Sequence, residues 1–328
     1  MISASGSTNI GGSGNRENQD AFFVGEHMFG VFDGHGRAGR SVAMTVCTVF
    51  AEASLDDLFP KMFADAEEAT HNVIGSYAPA GAGGTTASVL YVDPVEGFCQ
   101  VGHVGDSEVR YFDEEGDGVS LTEDHSATSL YEFHRVRATS APADYEFPAR
   151  PGQWNTRPVF LQDEDGNWAM DPRGGNYHCN VRKDWAAYLM SPCGEDRLAV
   201  TRALGDFNMK FHGVSAEPTV TTVDPPAEDV IRAIVLASDG LWDAMQYAEV
   251  GAVVRDPAVL GNAEAATAAL MAAALAANDK HFGDNADNIT AVVVYMSAPP
   301  AAEEVDDEPC ISGEGRCPCC GEITMYRE

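Results

Sequence analysis

Positive charge is scarce in this chain. Lysine and arginine together number 20 against 51 aspartates and glutamates in 328 residues, giving a formal net charge of −31. An anionic polymer or membrane surface repels such a protein, which argues against nucleic acid as a partner. What remains is a well-solvated acidic surface, attraction for divalent cations or basic peptides, or both. Long apolar runs are also missing. No stretch approaches the roughly 20 residues needed to span a bilayer, and the opening MISASGSTNIGGSGNRENQD has no signal-peptide core. The expectation is a soluble chain with no membrane span, cytoplasmic or nuclear. A disulfide framework is lacking as well: of eight cysteines, Cys47, Cys99, Cys179 and Cys193 stand singly, while Cys310, Cys317, Cys319 and Cys320 crowd the far end. That usage fits a reducing compartment. The four clustered thiols leave three readings open, a zinc site of non-standard spacing, redox or oligomer-linking thiols, or an unstructured tail. No internal repeat is found.

What is present supports a large core, since 45% of the residues are hydrophobic. Short β-type runs, AFFV at 21–24 and MFGVFD at 28–33, predict a hairpin feeding a helical stretch from Gly39 to about Ala78. Three further runs, at 85–93, 97–106 and 108–113, are separated by turn residues and predict an antiparallel meander. From 138 to about 190 periodicity fails among Pro, Gly and Trp, which predicts an insertion with a lid-like role. Regular signals return with AIVLASDG at 233–240, an alanine-rich helix over 262–278 capped by Asn262, and NITAVVVYM at 288–296. After Ser297 a Pro- and acid-rich linker begins, so residues 1–297 are read as the globular part and 298–328 as a flexible tail. Strands grouped apart from helices favour an α+β fold of antiparallel sheets over a doubly wound parallel one.

Aspartates recur at the edges of these runs. Asp20, Asp33, Asp106, Asp206, Asp239 and Asp287 each border an apolar segment, most of them beside Gly or Asn. A single Asp-Gly is an ordinary turn, but six such boundaries could bring carboxylates to one rim of a sheet. Hard cations such as Mg²⁺ and Mn²⁺ take oxygen ligands of this kind, with water completing the shell. Two tempting motifs carry less. Asp163, Asp165 and Asn167 mimic the start of a calcium loop but lack its later glycine and glutamate, and the sequon at Asn288 overlaps an aspartate boundary.

In order, the segments RENQD, DGHG, GGTTA, VGDSEV, LTEDH, LAVTRALGDF, SAEPTV, ASDGLWD and DNIT resemble the motif series of the metal-dependent Ser/Thr protein phosphatases of the 2C type, from Arg16 to Thr290. The resemblance implies one large catalytic domain. Its fold would be a central antiparallel β-sandwich flanked by α-helices in α-β-β-α layers, with a binuclear Mg²⁺ or Mn²⁺ site at one end. Carried over by motif, Asp33 would bridge two ions, the Gly34 carbonyl would bind one, and Asp20, Asp239 and Asp287 would complete the set. Asp106 and Asp243 resemble ligands of a weaker third ion, while Asp206 is open between a metal role and a turn or packing role. His35 would be the general acid and Arg16 the phosphate clamp, although Arg16 stands four rather than the more usual five residues before Asp20. Gln19 replaces a usual glutamate. The implied substrates are phosphorylated proteins, hydrolysed at phosphoserine or phosphothreonine by a monomer, and the competing class is a pseudophosphatase that binds without turnover. The region 138–190 would form a flap whose aromatics Trp154, Trp168, Tyr177 and Trp185 either contact a phosphopeptide or pack a small core of their own.

Overall fold

The computed structural model describes residues 2–14, 17–55, 58–75, 83–114, 116–149 and 156–298. Arg16, Trp154 and the four clustered cysteines lie outside the described residues. The architecture follows from the strand Ile289–Ser297, whose run ITAVVVYMS is apolar on both faces and buried along nearly its whole length. Val292 and Val294 point to one side and Ala291, Val293 and Tyr295 to the other, as the two-residue period of a strand requires. A strand of that kind needs cover on two sides.

One side is a second sheet. The first sheet runs, in spatial order, Ile2–Asn9, Ile289–Ser297, Ile231–Ala237, Val109–Phe112 and Val119–Ser120. The second runs Thr219–Val223, Cys99–Val104, Ala87–Val92, Met28–Phe32 and Ala21–Val24. Every neighbouring pair in both is antiparallel. Phe29, Val31, Leu90, Val101, Ile234, Leu236, Val292 and Val294 fill the space between them. Each such side chain contributes about 1.5–3 kcal/mol of burial. Helices cover the outer faces: α1 (Gly39–Glu52) and α2 (Phe59–Ile74) on the second sheet, α6 (Tyr247–Val254) and α7 (Ala263–His281) on the first. This is the expected layered sandwich.

Two local expectations change, and one strand was not expected at all. The helical stretch after Gly39 is two helices, because Leu58 is extended (φ −79°, ψ 145°) and Pro60 opens α2 in its first turn. The three central runs are not one meander: Ala87–Val92 and Cys99–Val104 pair, but the chain then crosses over and Val109–Phe112 joins the other sheet. Ile2–Asn9 forms a strand that its polar sequence ISASGSTN does not announce. The alanine-rich helix is as read, with the Asn262 side chain accepting a hydrogen bond from the Ala265 amide at 3.1 Å, and it continues to His281.

The insertion, where sequence periodicity failed, is a small structured layer. Strands Asp144–Phe147, Arg157–Pro158, Tyr188–Met190 and Arg197–Leu198 form one sheet, and Phe160–Gln162 pairs with Trp168–Met170. With α3 (Leu130–Arg137) they enclose their own core of Phe133, Val136, Tyr145, Phe147, Phe160 and Leu189. Trp168 and Trp185 pack against that core, while Tyr177 stays exposed. Asp163 closes a surface turn by accepting from the amides of Asp165 and Asn167.

Candidate metal centre

Strand register brings the aspartates to one end of the sandwich. Ala21 pairs with Phe32, so Asp20 and Asp33 flank one hairpin at the same end. Val31 pairs with Ser88 and Ala87 with Val104, which sets Asp106 beyond that same edge of the sheet. In the facing sheet Ala237 pairs with Ala291, so Asp239, at the start of α5 (Asp239–Trp242), and Asp287 lie together. Asp33, Gly34, His35, Asp106, Asp206, Asp239 and Asp287 line a pocket of about 340 Å³. A larger groove of about 760 Å³ adjoins it, shares Asp106 and Asp239, and adds Asp243 and the insertion residues Arg182 and Trp185.

These carboxylates crowd one another. Burial first, and then the charges of Asp20, Asp239, Asp287 and Asp106, push Asp33 well above the ordinary carboxylate range. Asp239 is raised in the same way by burial and by Asp243, Asp287, Asp106 and Asp20. Burial lifts Asp20 to about 6 despite hydrogen bonds from Thr290 and Ser238, and lifts Asp243 to about 7 with Asp106 adding to it and Arg182 opposing. Asp106 is raised chiefly by burial, with His35 opposing. Two oxygens, Asp20 Oδ1 and Asp239 Oδ1, are buried without a hydrogen-bond partner. A buried acceptor left unpaired is costly, and a cation bound beside these two oxygens would offset that cost. Among the described residues no three carboxylate, imidazole or thiolate groups are drawn up around one point. The donors instead face the pocket from separate strand ends, which suits a hard cation that keeps several waters.

The surrounding residues fix this arrangement. Ser238 Oγ donates to Asp20 Oδ2 at 2.9 Å and accepts from the Thr290 amide at 3.0 Å, tying the two sheets at the rim. The Asp33 amide donates to Thr86 Oγ1 at 3.0 Å. A Cβ on Gly240 would stand 2.0 Å from the Asn288 carbonyl oxygen, so glycine is what lets the ASDG and DNIT turns meet. Asn288 is buried; it donates to the Ile10 carbonyl and accepts from the Gln19 amide, which makes it a structural tie rather than a sequon. Gln19 donates through Nε2 to the Gly36 carbonyl at 2.8 Å, a bond that a glutamate could not make. Its departure from the usual residue thus braces the DGHG turn. His35 Nε2 donates to Asp206 Oδ2 at 2.6 Å. Burial disfavours the charged imidazole, but the Asp206 charge and hydrogen bond, with Asp106, outweigh it and hold the pKa above 6.5.

Residues 16–144 and 171–282 match the family described as protein phosphatase 2C. The chain belongs to the protein phosphatase 2C family. It is 27% identical to probable protein phosphatase 2C 11 of Arabidopsis thaliana over 275 residues, which cover 81% of this chain and 57% of that protein. It thus spans less than two thirds of that relative. In fold it resembles serine-threonine phosphatase 2C from Toxoplasma gondii, with a TM-score of 0.62 and 21% identity over 90% of this chain and 94% of the other. It is also similar to the catalytic domain of the serine threonine protein phosphatase PstP in complex with two manganese ions, with a TM-score of 0.55, 16% identity, and coverage of 90% and 98%. Among the described residues no helix is long and apolar enough to cross a membrane.

Of the residues singled out from the 2C-type motifs, Asp33, Gly34, His35, Asp106, Asp239 and Asp287 share one pocket, Asp20 stands behind them, and Asp243 faces the adjoining groove. Ser238, Thr290 and Thr86 were not singled out, although each lies inside or beside a family motif. The partnership of Asp206 with His35 carried no sequence signal, because 171 positions separate the two.

Proposed function

We propose that this chain is a metal-dependent protein serine/threonine phosphatase acting on phosphorylated proteins. The observation that carries the reading is the rim of buried, mutually repelling carboxylates with unpaired oxygens, set beside a histidine held by a carboxylate. Asp20, Asp33, the Gly34 carbonyl, Asp239 and Asp287 would hold two Mg²⁺ or Mn²⁺ ions, as PstP holds two manganese ions, and Asp106 with Asp243 would serve a third. When bound, the cations neutralise phosphoryl charge and make water more acidic at the site. By the motif resemblance, Arg16, outside the described residues, would supply the planar donor fork for the phosphate.

His35 serves the leaving group. As a water oxygen bonds to phosphorus and the ester P–O bond breaks, the imidazolium gives its proton to the departing serine or threonine oxygen. The products are the free hydroxyl and inorganic phosphate; the water proton is released and solvent reprotonates His35. A positioned general acid contributes about 10²–10⁴-fold in rate. The deciding measurement is hydrolysis of a phosphothreonine peptide and of 4-nitrophenyl phosphate with and without Mn²⁺. Mn²⁺-dependent release of phosphate is expected, with most of it lost in Asp239→Asn. Turnover indifferent to Mn²⁺, or undiminished in the variant, would overturn the reading.

A further inference from the structure

Asp206, just before α4 (Phe207–Lys210), sits in a backbone conformation that disfavours most residues. Its φ of 48° and ψ of 43° are left-handed, a region where only glycine, asparagine and aspartate are at ease. The chain holds it there from every side. The Asp206 amide donates to the Gly83 carbonyl at 3.0 Å, and its carbonyl accepts from the Met209 amide at 2.8 Å. Glu67, from α2, takes the preceding amide of Gly205 at 2.7 Å and pairs with Lys210 at 3.1 Å. Gly84 completes the seat, since a Cβ there would stand 2.3 Å from Asp206 Oδ2. So much constraint on one short turn has one visible result: the carboxylate, nearly all buried, is aimed at His35 Nε2 at 2.6 Å. Left-handed conformations held this firmly by their surroundings cluster at active sites.

We infer that Asp206 is the positioning residue for His35, fixing the ring and assigning Nε2 to the carboxylate so that Nδ1 carries the transferable proton. The inference rests on the phosphatase reading and deepens it. A carboxylate on one imidazole nitrogen decides which nitrogen can give a proton and keeps the ring from turning. It acts through His35.

Leaving groups separate this role from a structural one. An alkoxide leaves poorly without a proton, whereas 4-nitrophenolate needs little help. Asp206→Asn keeps the shape and tolerates the left-handed backbone, and Asp206→Gly removes the carboxylate while favouring that backbone. For Asp206→Gly, kcat on a phosphothreonine peptide is expected to fall by about 10²-fold with little change in KM, and Asp206→Asn by about tenfold. The loss on 4-nitrophenyl phosphate should be several-fold smaller in both. In ¹⁵N spectra of the metal-free protein, the His35 Nε2 resonance should shift in both variants while thermal unfolding stays close to that of the native chain. Equal losses on the two substrates, no loss on either, or an unmoved His35 signal would overturn the inference and leave the phosphatase reading standing. A native chain that hydrolyses neither substrate with Mn²⁺ overturns both.

Discussion

His125 shows how much one buried side chain can set. Its ring stacks on His103, with centroids 4.4 Å apart and planes 7° from parallel. Nδ1 accepts from the Gly105 amide at 3.2 Å and Nε2 donates to Thr219 Oγ1 at 3.0 Å, so the ring is neutral and every polar atom is used. Burial, then His103 and Arg202, push its pKa down to about 2, and burial lowers His103 as well. An unfolded histidine titrates near 6.5, so below that pH the unfolded chain binds the extra proton and stability drains away as pH falls. One such histidine weakens the fold by about 1.4 kcal/mol per pH unit at most. Urea midpoints measured from pH 7.5 down to pH 5 should fall, and fall less steeply in His125→Gln; a variant as acid-sensitive as the native chain would rule this source out. The same residue marks the reach of sequence reading. LTEDH was legible as a motif, but the stack, the tautomer and the Thr219 partner, 94 positions away, were not. Asp33 and Asp239 were legible because turn chemistry at a strand end is local. Asp206 was legible as a boundary aspartate too, but its partnership with His35 was not, because that is a distance to another part of the chain.

Among elements, the inserted layer is the one whose attachment can be argued in detail. Its segment around Arg182 is docked on the corner between α5 and α6. The Arg182 guanidinium donates to the carbonyls of Trp242 and Met245 and lies over the Tyr247 ring at 4.6 Å. Arg110 covers that ring at 3.6 Å. The Val181 amide donates to the Asp243 carbonyl at 2.9 Å, and Gln246 Nε2 donates back to the Val181 carbonyl at 3.1 Å. Arg182→Ala should therefore free this segment of the insertion locally by about 1.5–3 kcal/mol while leaving the sandwich intact. Amide exchange over 179–190 should quicken, with that of Ile289–Ser297 unchanged; unchanged exchange in both would show the anchor lies elsewhere. Sequence analysis placed this element but not its order, because strands of two to four residues are too short for a period to show. The long apolar strands announced themselves. Ile2–Asn9 did not, since its place is fixed by backbone hydrogen bonds that polar side chains leave untouched.

Across the whole molecule the acidic excess and the carboxylate rim act together. A chain with net charge −31 that gathers Asp20, Asp33, Asp106, Asp239 and Asp287 at one end holds like charges together at a cost to its own fold. Cations bound at the rim should relieve that cost. At 100 times its dissociation constant, Mn²⁺ is expected to add about 2.7 kcal/mol to the chelator-treated protein. Thermal unfolding before and after Mn²⁺ addition checks this, and Asp239→Asn should show a smaller rise; identical melting curves with and without the ion would argue against the rim as its seat.

The pairing of Ile2 with Met296 has a consequence of another kind. A ribosome releases residues 2–9 almost three hundred positions before the strand they bind. Until Ile289–Ser297 emerges, the sheet lacks the member that joins Ile2–Asn9 to Ile231–Ala237, and the inner face of Ile234 and Leu236 stands uncovered on that side. Such non-local closure is slow and leaves sticky intermediates. The end of the sandwich that gathers the aspartates is thus finished late in synthesis, when DNIT arrives.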